Sequence, residues 1–423
     1  MMSRTWFSLL RSRRVRCRSC ATPLEHVIID LGSAPLSNAY LTQVALRRPE
    51  KWFPLRLLVC EQCWLVQAEA YSRAAEIFND EYAYFSSFSD TWLRHSQSFQ
   101  KEITAELGLN GESFVVEIAS NDGYLLQYFK RAGIPCLGIE PTGSTASAAR
   151  MKGIKTLEVF FSAAVAQSIL SENRPADLII GNNVLAHVPS PLDFLDGVAR
   201  LLSVDGVATF EFPHVLHLLR QNQFDTIYHE HFCYFSVTAV KDLLEHNGLK
   251  LVRVRQLDTH GGSVRIHVML ATSSRAHVDA SVEEILTRER EAGLDSLATY
   301  SGLQEAADRA KNELLSFLIG ARRDGKCVVA YGAAAKGNTL LNYAGVKPDL
   351  LPFVVDKNPS KVGKFLPGSR IPIRAVTSLS QTAVDFVLIL PWNLSVEITA
   401  QLSDLLDTGT RFVTAIPELR VYP

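Results

Sequence analysis

The chain has 423 residues, enough for several domains at about 100–200 residues each. With 47% hydrophobic and 21% charged residues it can bury ordinary globular cores, which excludes a disordered or fibrous chain. Lys and Arg number 43 against 44 Asp and Glu, and beyond residue 16 no basic stripe appears, so no nucleic-acid partner is expected.

Residues 1–16 carry Arg4, Arg11, Arg13, Arg14 and Arg16 around Trp6, Phe7, Leu9 and Leu10. They lack the continuous apolar core of a signal peptide and read as a poorly ordered cytoplasmic extension, with a short amphipathic helix as the alternative. No apolar run reaches the roughly 18 residues of a membrane helix, so a soluble, cytoplasmic protein without a membrane partner is expected.

Cys17 and Cys20 form one C-x-x-C pair, and Cys60 and Cys63 form another. Each turn aims two thiolates at one point, and two such pairs close a tetrahedral Zn2+ site with four sulfurs. A disulfide framework needs an oxidising compartment, and a redox site needs one reactive pair rather than two; structural zinc is preferred to both. Four thiolates leave no open coordination position, so the metal stabilises rather than catalyses. Residues 17–75 are the expected zinc module, and burial is the default for Cys136, Cys233 and Cys327.

An α/β alternation follows. Residues 114–119 form a β-branched apolar run, 123–130 read as helix closed by Gly133, and 136–140 as a second strand. Residues 177–183 and 207–213 supply two more strands with room for helices between them. Ser236 caps a helix ending at Gly248, and residues 250–256 return as a strand. Strands alternating with helices predict a doubly wound parallel sheet with its ligand at the carboxyl ends of the strands. A long polar helical stretch, 282–323, leads to a second α/β unit with strands at 328–331, 352–356, 386–390 and 412–415. The expected domains are residues 17–75, 76–257 and 258–423, after the 1–16 extension.

The first strand of the central sheet ends in Glu117-Ile118-Ala119-Ser120-Asn121-Asp122-Gly123. An acidic residue before a tight turn into a helix makes a nucleoside-binding corner, where free backbone N–H groups meet the ligand. The glycine fingerprint that lets a pyrophosphate approach the backbone is absent, which disfavours a nicotinamide cofactor and fits S-adenosylmethionine. Glu117, Ser120, Asn121 and Asp122 belong to that corner. Glu140, after the second strand, is placed to accept from ribose hydroxyls, and Asn182 and Asn183 face the same crevice.

Tyr228-His229-Glu230-His231 lies beyond the carboxyl edge of the same sheet. Two imidazoles, a carboxylate and a phenol in a row resist cheap burial, although for an isolated HxH one solvated loop histidine and one satisfied core histidine is the preferred reading. A neutral imidazole is suited to removing a carbon-bound proton beside a carbonyl. H-E-x-x-H spacing is missing, which argues against a metalloprotease. Gly332 turns the strand 328–331 into a helix carrying Lys336, a setting for a pyrophosphate or equally a plain α/β turn with Lys336 in solvent.

These residues together resemble the S-adenosylmethionine-dependent sugar C-methyltransferases that act on nucleotide-linked 4-keto-deoxysugars. The likeness covers residues 17–423. It rests on the two cysteine pairs, Glu81-Tyr82-Ala83-Tyr84-Phe85-Ser86-Ser87, the Glu117–Gly123 corner, Asn182-Asn183-Val184-Leu185-Ala186-His187-Val188, Phe224-Asp225-Thr226-Ile227-Tyr228-His229-Glu230-His231, Thr259-His260-Gly261-Gly262-Ser263, Gly332-Ala333-Ala334-Ala335-Lys336-Gly337-Asn338 and Asp356-Lys357-Asn358-Pro359.

The resemblance implies a zinc-binding domain, a central S-adenosylmethionine domain and a C-terminal α/β domain that clasps the substrate's nucleotide, dTDP by preference. It implies His231 as base, with Tyr82, His187, Tyr228 and Glu230 as accessory groups. Lys336, Asn338 and Ser263 are the substrate-binding candidates, and the carbon next to the ketone, C3, is the implied target. The alternative is a zinc-ribbon protein with non-catalytic α/β binding domains.

Overall fold

Strands buried on both faces need no alternation of apolar and polar residues. The apolar runs become strands of two of the three sheets in a computed structural model of the chain, which describes residues 15–71, 74–78 and 85–422. Most of the expected N-terminal extension lies outside the described residues. Val15 and Arg16 already belong to the zinc module: Leu24 N–H bonds to Val15 O at 2.9 Å, and Arg16 bridges Pro23.

The N-terminal sheet consists of β1 (His26–Ala34), β2 (Phe53–Val59) and β3 (Val66–Ala68), all antiparallel. The central sheet follows with β4 (Val115–Ile118), β5 (Cys136–Ile139), β6 (Thr156–Leu157), β7 (Ala176–Asn182) and β8 (Leu202–Pro213). Next comes β9 (Cys233–Tyr234), which leaves that sheet and pairs with β3, so the zinc module borrows a strand that begins two residues after His231.

Two further strands, β10 (Leu249–Leu257) and β11 (Ser263–Leu270), complete the central sheet in the order β10-β11-β8-β7-β4-β5-β6. From β8 to β6 it is parallel, as expected of a doubly wound sheet; β10 and β11 are antiparallel. The expected boundary after residue 257 falls within this β10–β11 hairpin. β11 stays with the central sheet because its burial requires β8 as partner.

The C-terminal sheet contains β12 (Val328–Tyr331), β13 (Val354–Asp356), β14 (Ile373–Ala375), β15 (Phe386–Ile389), β16 (Arg411–Thr414) and β17 (Arg420–Tyr422), ordered β14-β13-β12-β15-β16-β17. Only β17 runs antiparallel there. Both α/β sheets reverse their order beside their first strand, opening a crevice at the carboxyl ends.

Two helical expectations are corrected. The stretch 282–323 is three helices, Ala280–Glu291, Leu297–Tyr300 and Leu303–Arg323, because the chain turns at Gly293 with φ +73°. The helix expected from residue 123 starts at Leu126. Ala119, Asn121 and Gly123 all have positive φ, and a Cβ on Gly123 would lie 2.3 Å from Ile154 Cδ1, so the corner is a tight left-handed turn. Among the described residues no helix is long and apolar enough to cross a membrane.

Candidate active site and metal centre

The two cysteine turns are built alike. Ala21 and Trp64 adopt positive φ, and their N–H groups bond back to Cys17 O at 3.0 Å and Cys60 O at 2.9 Å. The four sulfurs lie within 4.8 Å of one another, with Cys17–Cys63 and Cys20–Cys60 at 3.5 Å. A tetrahedron with Zn–S near 2.3 Å has edges of about 3.8 Å, so the donor set fits a zinc ion held by Cys17, Cys20, Cys60 and Cys63. Gln67 supports the cluster: its Nε2 donates to Cys17 Sγ at 3.3 Å, and its Oε1 accepts from Arg18 N at 3.0 Å.

A cavity of about 340 Å3 opens between the carboxyl ends of the central sheet and the C-terminal domain. On the central side Asn121, Glu140, Asn182 and Asn183 line it. Glu140 is buried and takes one backbone N–H on each oxygen, from Asn121 at 2.9 Å and Thr142 at 3.0 Å. Burial raises its pKa, and those two bonds oppose the rise. Both amide atoms of Asn182 and the Oδ1 of Asn183 are buried without a protein partner. Buried polar atoms without partners point to a ligand, and beside the aromatic walls Trp92, Phe160 and Phe161 they fit an adenosyl cofactor.

Three corner residues stand outside the lining. Glu117 points into the sheet, wholly buried, and burial raises its pKa well above the carboxylate range. Ser120 is buried against Gly138. Asp122 pairs with Lys152 at 3.1 Å. Of the four polar corner residues, the left-handed backbone of the turn directs Asn121 alone to the cavity, beside Ile118 and Ala119.

His231, Tyr228, Glu230 and His187 gather at the deep end. The rings of His231 and Tyr228 lie 4.1 Å apart, those of His231 and His187 4.6 Å. His231 Nδ1 sits 3.1 Å from the carbonyl of Thr226, and His187 Nδ1 sits 2.9 Å from that of Glu230. A carbonyl only accepts, so each Nδ1 carries the proton and each Nε2 keeps its lone pair. Burial, then the neighbouring His187, lowers the His231 pKa well below the ordinary value; burial brings His187 down to about 4. Both rings are therefore neutral at pH 7. His229 points away, its Nε2 3.1 Å from Pro54 O. Tyr82 lies outside the described residues.

Lys336 lines the opposite wall, half-buried, donating to Asn393 Oδ1 at 2.7 Å over the Trp392 ring at 4.7 Å. Burial lowers its pKa, and Asp225 opposes the shift. Asp225 is itself raised to about 6 by burial and accepts from Trp392 Nε1 at 2.8 Å. The other two substrate candidates are elsewhere. Asn338 donates to Ser37 O at 2.7 Å, joining the C-terminal domain to the zinc module, and Ser263 is buried, donating to Thr259 O at 2.9 Å. Gly261 is a packing glycine: its Cβ would meet Trp392 at 2.4 Å.

Sequence reasoning missed Asn38, Trp92, His260 and Lys361, all in the lining. His260 carries a signal, standing between Thr259 and Gly261 with φ +56° and accepting from Asn183 Nδ2 at 3.1 Å. Burial lowers its pKa to about 4. Asn38, Trp92 and Lys361 carry none, since each belongs to a segment remote in sequence.

Three family profiles match the chain: "Putative zinc binding domain" over residues 17–78, "Methyltransferase domain" over 92–254 and "C-methyltransferase C-terminal domain" over 258–417. The C-methyltransferase NovU of Streptomyces niveus is 34% identical over 405 residues, spanning 96% of each chain. Solved structures match about two fifths of the chain. A methyltransferase from Clostridium acetobutylicum ATCC 824 is 15% identical over 42% of this chain and 92% of its own, with TM-score 0.34. Magnesium protoporphyrin IX methyltransferase of Synechocystis PCC 6803 is 16% identical over 42% and 81%, with TM-score 0.32.

Proposed function

The chain belongs to the S-adenosylmethionine-dependent C-methyltransferases, and from that premise we propose that it methylates the carbon next to the ketone, C3, of a nucleotide-linked 4-keto-deoxysugar. One observation supports this above the others: His231 gives its Nδ1 proton to Thr226 O, leaving an unprotonated Nε2 in the cavity. A neutral imidazole held in one tautomer is a general base aimed by its own hydrogen bond.

His231 Nε2 takes the proton from the carbon beside the ketone, and the electron pair moves onto the carbonyl oxygen as an enolate. Tyr228, against the His231 ring, donates to that oxygen, and the Lys336 ammonium favours negative charge in the cavity. When bound, S-adenosylmethionine supplies the electrophilic methyl. Asn121, Glu140, Asn182 and Asn183 would hold it against the central sheet; transfer of its methyl to the carbanion carbon would form the new C–C bond as the methyl carbon–sulfur bond breaks and S-adenosylhomocysteine leaves. Walls from two domains hold the two reactants in one orientation, converting an encounter into a fixed approach. His187, neutral and bonded to Glu230 O, orients the 228–231 segment.

Lys336 is the group in this reading that meets the nucleotide's phosphates, with dTDP the carrier implied by the resemblance. The four-thiolate zinc site and the free cysteines suit a reducing compartment, hence the cytoplasm. The test is mass spectrometry of products after incubation with S-adenosylmethionine and a panel of nucleotide-linked 4-keto sugars. One methyl gained on one member is expected. No gain on any member, with the cofactor bound, overturns the sugar assignment.

A further inference from the structure

The wall opposite the cofactor corner is supplied partly by the zinc module. Asn38 lies in the connection between β1 and β2, far from the four cysteines, and lines the cavity. Its Nδ2 donates to Glu230 Oε1 at 2.6 Å, and its Oδ1 lies 3.1 Å from the Tyr40 hydroxyl. The amide orientation follows from chemistry, since a flipped Oδ1 would face a carboxylate oxygen. Glu230 is 2% exposed, so a hydrogen bond to its carboxylate is made in a weakly screened setting.

The connection itself is fastened to the C-terminal domain. Leu41 and Phe365 exchange two backbone hydrogen bonds at 2.9 Å, and Asn338 Nδ2 holds Ser37 O at 2.7 Å. Tyr40 O–H and Lys361 Nζ both reach Ala333 O, at 2.6 and 2.8 Å. Residues on both sides of Asn38 are thus anchored, which fixes its approach to Glu230.

We propose that Asn38 is a positioning residue for Glu230, so that the zinc module contributes a functional side chain to the active site as well as a metal-stabilised fold. The inference rests on the reading of Glu230 as an active-site group. A second carboxylate in place of the amide would face Glu230 within hydrogen-bonding distance, and two carboxylates sharing a site raise the proton affinity of the pair.

The experiment combines a double-mutant cycle with a titration. Asn38→Ala is expected to lower kcat about tenfold to a hundredfold with S-adenosylmethionine affinity unchanged, and to have much less effect in a Glu230→Gln background. In parallel, 13C-carboxyl NMR, with Glu230→Gln as the assignment control, should show the Glu230 titration displaced upward in folded Asn38→Asp. Additive effects in the cycle overturn the inference. If the wild type methylates no keto sugar, the sugar assignment fails, and the NMR titration alone decides: an unmoved Glu230 then overturns the Asn38 contact.

Discussion

Replacing His231 by Asn separates the base from the hydrogen bond that aims it. The Asn amide nitrogen stands near the position of Nδ1 and can still donate to Thr226 O, whereas nothing replaces the Nε2 lone pair. The loss in stability is then limited to the packing of the missing ring atoms against Tyr228, His187 and Tyr234, whose rings lie 4.1, 4.6 and 5.7 Å away. That corresponds to about 1–2 kcal/mol. Loss of a general base costs about a hundredfold to ten-thousandfold in rate, or about 3–5 kcal/mol on the barrier.

Two assays read the two effects apart. In D2O without cofactor, the wild type should wash deuterium into the sugar carbon next to the ketone, and His231→Asn should not. Cofactor affinity, by titration calorimetry, should be unchanged, because the ligand atoms assigned to it are on Asn121, Glu140, Asn182 and Asn183. The pH profile gives a third reading. Burial holds the His231 pKa well below its ordinary value, so the wild-type rate should stay level through pH 6.5 and fall only at more acid pH as Nε2 is protonated. A folded His231→Asn protein that keeps wild-type exchange and the same acid limb would refute the assignment of the base.

Cys60→Ser should lower the zinc content, by emission spectroscopy, well below the one ion per chain expected of the wild type, and should lower the melting temperature; a wild type free of zinc would refute the site. Glu289→Ala removes the acceptor of His214 Nε2, Val237 N, Thr238 N and Thr238 Oγ1, all at 2.6–2.8 Å in the interior, and should cost about 3–5 kcal/mol in urea unfolding. His187 and His260 are held neutral in the fold with pKa about 4 but bind protons near 6.5 when unfolded. Their contribution is intact above pH 6.5 and is lost on acidification toward 4, up to about 3 kcal/mol each. Urea midpoints should fall over that window, and less steeply in His187→Asn.

Much of the fold was legible because its signals are local. Val115–Ile118, Val328–Tyr331 and Phe386–Ile389 read as apolar runs since sheet neighbours and helices cover both their faces. The cysteine turns were legible because chelation needs two thiolates at fixed spacing. Antiparallel β11 and β17 carried weaker marks, and β9 had none: two residues form a strand there because β3 offers an open edge.

Of the polar corner, residue types were legible and directions were not. Glu117, Ser120 and Asp122 looked equivalent to Asn121, yet only Asn121 faces the cavity, since positive φ at residues 119, 121 and 123 turns each side chain separately. Asn338 stood in a phosphate-like turn and serves Ser37, 301 positions away.

By itself the chain's order of residues determined two sheet-forming regions, a four-thiolate cluster and a histidine segment at a sheet's carboxyl edge, because burial periodicity and ligand spacing act over a few neighbouring residues. Only the folded arrangement decided which of those groups share one cavity. Asn38 meets Glu230 across 192 positions, and such a meeting is set by how whole domains pack, a sum of many weak contacts that no short stretch of residues records.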